Sequence, residues 1–158
     1  MHAERFAMTM RAFGLDPGLG AYLDVVPGST LATDNLVTMF GLHRAWRGAC
    51  VGHLALFEMT SVGPMGHYAS ALARLGIDAG ARRFYDVHVP ADEVHQHVAL
   101  DDMVAGLVEL EPALAGDVLF GARALTEIEG RFTRRLLDRW NVGSSSLLRC
   151  PLPLRIAS

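Results

Sequence analysis

His88-Val89-Pro90-Ala91-Asp92-Glu93-Val94-His95 is the stretch on which the reading of this chain turns. A helix advances about 100° per residue, so offsets of four and seven bring Asp92 and His95 to within about 40° of His88. Two imidazoles and a carboxylate on one helical face make half of a metal site. Mixed imidazole and carboxylate ligation suits iron, manganese or zinc rather than calcium, and facing helices of a bundle hold di-iron centres with such sets. The stretch therefore predicts helices as well as a metal.

Working outward, Asp78 is placed to cap the N-terminus of the helix that carries this face. Pro90 has two readings. It kinks a helix already running, because it removes the bond to the Asp86 carbonyl, or it marks the first turn of a helix starting near Val89, which would take His88 off the face. Tyr85, three residues before His88, can point toward the site and donate a hydrogen bond to a ligand, or simply pack its ring. Asp102 lies seven residues after His95 on the same predicted face, where a carboxylate would orient a ligand imidazole or stand as plain surface charge.

Between Gly48 and Ala73 the only formal charge is Glu58. An ionised Glu in an apolar segment is costly unless something cationic compensates it, so Glu58 is the best partner for the face of His88, Asp92 and His95, the other reading being a Glu near the helix end that reaches solvent beside Thr60-Ser61. His53, five residues from Glu58, falls about 140° away around the same helix and does not share that face. The segment belongs to a predicted central helix that Ser29 or Thr30 caps and that runs to Ser61, with Gly41, Gly48 and Gly52 allowing close approach of neighbours. Gly63-Pro64-Met65-Gly66 is read as a break, followed by a short helix over residues 64–75 that stops at Gly76.

Residues 2–13 read as a helix ended by Gly14, and Asp16-Pro17 begins a short helical turn that ends near Pro27-Gly28. Pro112 opens the final helix, which reaches Trp140 with Arg131, Arg134, Arg135 and Arg139 as a solvated basic end. No strand signal, repeat or low-complexity segment stands out. Residues 1–140 thus form one helical metal-binding domain, and residues 141–158 an extended C-terminal tail.

The 158 residues are 51% hydrophobic and carry a net charge of -3, with fourteen Arg and no Lys. That balance belongs to a packed globular domain, and without a basic stripe nucleic acid is not expected as a partner. The absence of Lys points only to a GC-rich bacterial coding bias. Cys50 and Cys150 do not make a disulfide framework, and the N-terminus has no charged leader followed by an apolar core, so a cytoplasmic setting is expected. The apolar run after Gly48 is interrupted by Pro64 and two His, which argues against a membrane span.

Three passages, Gly52–Ser61, Phe84–His95 and Asp117–Ala122, together with the His-x3-Asp-x2-His element at its distance from Glu58, resemble the iron-containing redox enzyme family of the haem-oxygenase-like di-iron oxidases. The resemblance spans nearly the whole chain. It implies an all-α, haem-oxygenase-like helical bundle that binds Fe without porphyrin and uses dioxygen to oxidise a small-molecule substrate by N-oxygenation, desaturation or carbon-carbon cleavage. By position it implies His2, Glu58, His88, Asp92 and His95 as iron ligands.

In the family, further carboxylate ligands precede the histidine that aligns with His2, one of them by about ten residues. The chain is therefore expected to be incomplete at the N-terminus, with two Fe ions in the full family site and one held by the residues present. A helical remnant with an exposed apolar groove is the competing expectation, and it would favour a homo-oligomer or a partner-binding module.

Overall fold

Residues 2–149, which the computed structural model describes, form α1 (His2–Ala12), α2 (Gly28–Leu42), α3 (Arg47–Arg74), α4 (Ala79–His97), α5 (Ala105–Leu110) and α6 (Ala115–Asn141), with no strand among them. The all-α expectation holds. Gly14 and Gly76 adopt positive φ, +68° and +77°, and end α1 and α3 in the left-handed conformation that favours glycine. Asp78 accepts from the backbone N–H groups of Gly80 (2.8 Å) and Ala81 (3.1 Å) and so starts α4 as the sequence predicts. Cys150 and the rest of the tail to Ser158 lie outside the described residues.

Pro90 sits inside α4, eleven residues past its start at Ala79. The reading in which the helix begins near Val89 is thereby excluded, and His88 is helical. Four other features differ from expectation. The predicted single helix to Ser61 is divided at His43, whose backbone is extended (φ -114°, ψ 107°), into α2 and α3. No Gly or Pro marks that corner. Phe40, Trp46 and Phe120 pack around it with ring centroids 5.7–6.2 Å apart, so tertiary contact rather than local sequence turns the chain.

Gly63-Pro64-Met65-Gly66, read as a break, lies within α3, which continues to Arg74. Gly63 has no Cβ to meet the proline ring, which removes the usual obstacle to helical backbone before Pro. Pro27, not Ser29 or Thr30, stands at the N-cap of α2. The expected helical turn after Asp16-Pro17 is a chain of tight turns instead, fixed by Gly18 N–H to Asp16 Oδ1 and Asp16 N–H to the Tyr22 hydroxyl, both 2.8 Å.

Helix α3 lies at the centre, packed against α6 on one side and α4 on the other. A Cβ added at Gly52 would stand 1.8 Å from the Val118 carbonyl oxygen, and one at Gly121 would stand 1.9 Å from that of Ala49. The two backbones touch there. Gly48 is also close, whereas Gly41 has open space around it and plays no such part. Helix α1 packs on α4, tied by the Thr9 hydroxyl donating to the Ala81 carbonyl. After α6, Leu148 N–H donates to the Val25 carbonyl (2.8 Å) and returns the chain to the start of α2. The basic end of α6 is not uniformly solvated, because Arg135 is half-buried with its Nε unpartnered.

His53 is 2% exposed on the α6 side of α3, its ring 6.0 Å from Phe40 and its Nδ1 without a hydrogen-bond partner. Burial holds its imidazole below the ordinary histidine value, and the nearby Glu129 carboxylate opposes this only in part. As pH falls below about 6.5 the unfolded chain takes up this proton before the folded one, so the stability His53 contributes is full above that pH and declines below it. The urea stability of the wild type minus that of His53→Gln is accordingly expected to shrink between pH 7.5 and 5.5. A difference that stays level would show that His53 titrates normally.

Candidate metal centre

Helices α3 and α4 are joined by the short link from Leu75 to Asp78 and run antiparallel, which brings Ser61 beside Asp92 and Tyr68 beside Tyr85. At the Ser61 level Glu58 projects from α3 toward Asp92 and His95, which stand three apart on one face of α4. His95 Nδ1 lies 3.3 Å from Glu58 Oε2 and 3.5 Å from Asp92 Oδ1. One donor atom from each of the three residues lies within 4.8 Å of the others.

Cis ligands on a metal with bonds of about 2.1 Å stand about 3 Å apart, so this spacing needs little adjustment to close on an ion. Two carboxylates and an imidazole match the hard-to-borderline preference of iron or manganese. The residues fit iron. Asp92 is 2% exposed, whereas the side chains of Glu58 and His95 are 37% and 53% exposed, so the cluster is buried on one side and open on the other. Glu58 is therefore half-buried in mid-helix rather than sealed in the core.

His88 does not join the cluster. The expected single face of His88, Asp92 and His95 divides, because His88 stands one helical turn away, about 6 Å along the axis, and meets His2 instead. The two Nε2 atoms are 3.0 Å apart. His88 Nδ1 contacts the Phe84 carbonyl four residues back, so Nδ1 carries the proton and Nε2 accepts from His2 Nε2–H. A carbonyl that fixes the tautomer turns the Nε2 lone pair outward, here toward His2, and is the arrangement that prepares a histidine for a metal.

Tyr85 packs its ring rather than orienting a ligand. It lies against Phe84 and Tyr68, at 5.1 and 5.5 Å, and burial, with Tyr68 adding to it, pushes its phenol above the ordinary tyrosine value. Asp102 is exposed and pairs with no imidazole among the described residues. The reason is a π-helical stretch, Val98–Val104, which changes the turn after His97 and removes the seven-residue register on which the expectation rested.

The side chain that does contact the cluster is Ser61, to which the sequence analysis assigns no role. Its hydroxyl lies 2.7 Å from Asp92 Oδ2 and 2.9 Å from the Glu58 carbonyl. The available signal was its position, one turn after Glu58 on the same side of the helix. Between α1, α3 and α4 lies a cavity of about 230 Å³, lined by Phe6, Met10, Phe13, Leu72, Tyr68 and Tyr85 among others. Tyr85 and Phe84 connect it to the ring of His88, which is 4.4 Å from that of Phe84.

An all-α bundle whose facing helices bring donor atoms of two carboxylates and an imidazole within 4.8 Å of one another has the arrangement on which helical metal sites are built. The family description "iron-containing redox enzyme", of haem-oxygenase-like fold, matches residues 1–130, and the chain belongs to that family. The match takes in α1 to α5 and most of α6. No curated protein and no solved structure matches significantly. Among the described residues no helix is long and apolar enough to cross a membrane.

Proposed function

We propose that Glu58, Asp92 and His95 hold iron in this chain, and that His2 and His88 serve a second ion of a di-iron oxidase or oxygenase acting on a small organic substrate. The observation that carries the reading is the convergence of the three donors from α3 and α4 in a chain whose family is iron-containing. When bound, iron supplies the activation of dioxygen. The chain's own residues supply the rest. Asp92 and Glu58 provide the negative charge that favours a cation, the Phe84 carbonyl fixes the His88 tautomer, and the open side at Glu58 and His95 leaves room for other groups.

The cavity beside Tyr85 is the place offered to an apolar part of the substrate. Its lining is aromatic and aliphatic, and the Thr9 hydroxyl is already engaged with Ala81. The test is anaerobic equilibrium dialysis with Fe(II) on wild type, Glu58→Ala and His95→Ala. The wild type is expected to retain at least about one iron per chain, the ion held by Glu58, Asp92 and His95. Each variant should lose more affinity than the 10–100-fold that an orienting residue is typically worth, about two decades or beyond. Metal-free wild type, or equal retention in all three proteins, would reject the reading.

A further inference from the structure

We infer that Ser61 is a positioning residue that fixes which oxygen Asp92 offers to the metal, an inference that rests on the proposed ligation by Glu58, Asp92 and His95. Asp92 is 2% exposed, and its two oxygens have different surroundings. Oδ1 faces His95 Nδ1 at 3.5 Å, whereas Oδ2 lies 2.7 Å from the Ser61 hydroxyl. A hydroxyl has one proton to give, and a carboxylate is a stronger acceptor than a backbone carbonyl, so Ser61 donates to Asp92 Oδ2.

The Ser61 oxygen also sits 2.9 Å from the Glu58 carbonyl, which can take only the weaker share of the one hydroxyl proton, so the side chain lies against its own helix while pointing at Asp92. One turn of α3 thus provides a donor, Glu58, and the group that aims another donor on α4. With Oδ2 engaged, Asp92 meets the ion through Oδ1 alone. Without Ser61, the carboxylate is free to rotate or to take the ion through both oxygens, and a buried Oδ2 loses its hydrogen bond.

Thr60 is a matched control. Its hydroxyl bonds back to the Leu56 carbonyl at 2.7 Å in the same manner, but it is exposed and does not touch Asp92. The experiment titrates wild type, Ser61→Ala, Ser61→Thr and Thr60→Ala with Co(II), following the visible bands of the bound ion, with helicity measured by circular dichroism. Ser61→Ala is expected to bind about 10–100-fold more weakly and to show altered Co(II) bands. Thr60→Ala and Ser61→Thr, which keep the Asp92 contact, are expected to match the wild type.

Undiminished affinity with unchanged bands in Ser61→Ala overturns the role of Ser61 while leaving the metal centre standing. Equal weakening in Ser61→Ala and Ser61→Thr at wild-type helicity overturns it too, because the hydroxyl is then not what matters. Failure of the wild type itself to bind Co(II) or Fe(II) overturns the metal centre, and Ser61 with it.

Discussion

Gly52→Ala is expected to destabilise the fold by about 3 kcal/mol or more, the upper end of what overpacking does. On helix propensity alone the same change would stabilise by about 1 kcal/mol. The contact decides the sign. The added Cβ would lie 1.8 Å from the Val118 carbonyl oxygen and 2.9 Å from its Cα, and those are backbone atoms that no side-chain rotation can move aside. Helices α3 and α6 would have to separate along their most extensive contact, opening voids beside Ala49 and Val118, both buried. Gly116→Ala, also in α6 but with open space around the position, is expected to gain up to about 0.5 kcal/mol. Urea unfolding of the two variants beside wild type measures both. A Gly52→Ala protein as stable as wild type would mean that the α3 and α6 backbones are not in contact.

Gly48 and Gly52 show what the sequence could reveal about the fold. Small residues four apart in an apolar helix announce close approach, and the structure supplies the partners, Asp117 and Leu114 for Gly48 and Val118 for Gly52. Gly14 and Gly76 through their backbone freedom, and Asp78 through its capping carboxylate, mark boundaries by local chemistry and are legible for that reason. The corner at His43 was not legible, because Phe40, Trp46 and Phe120 hold it and they meet only after α6 has returned to α3. Pro64 misled in the opposite direction. Its missing N–H is a local penalty, and packing of α3 along α4 outweighs it.

At the site, helical spacing and an unusual setting for a charge were readable, and contacts that depend on how two helices pair were not. Asp92 and His95, three apart on α4, could be placed together from their offset alone, and the apolar surroundings of Glu58 singled it out. His88 obeys the same offset rule yet divides from them, since an angular match says nothing about the rise of one turn between His88 and Asp92. That rise is what places His88 against α1 and His2 rather than against Glu58. Asp102 depended on an unbroken α-helical period, which the π-helical stretch Val98–Val104 interrupts. Ser61 depended on the pairing of α3 with α4, which no residue of either helix states on its own.

Asp92→Asn is expected to act in opposite directions with and without metal. In the metal-free protein Asp92 is an acid only 2% exposed, with a Glu58 carboxyl oxygen within 4.8 Å and His95 Nδ1 at 3.5 Å, and burying one acid beside another opposes folding more than burying its neutral isostere does. Asn keeps the shape and can still accept from Ser61, while its amide N–H₂ can donate where Oδ1 stood. The metal-free variant should therefore be at least as stable as wild type, by up to about 1 kcal/mol. With metal the order reverses. An ion that binds only the folded state adds about 2.7 kcal/mol at a hundred times its Kd, and if Asn weakens binding a hundredfold, the same concentration adds only about 0.4 kcal/mol. Urea midpoints measured with chelator and then with Fe(II) under nitrogen read both arms. A variant less stable than wild type by the same margin in both conditions would assign Asp92 to the architecture of the bundle alone. A crossing of the two curves would show that this buried charge is kept for the cation it faces, at the expense of the metal-free fold.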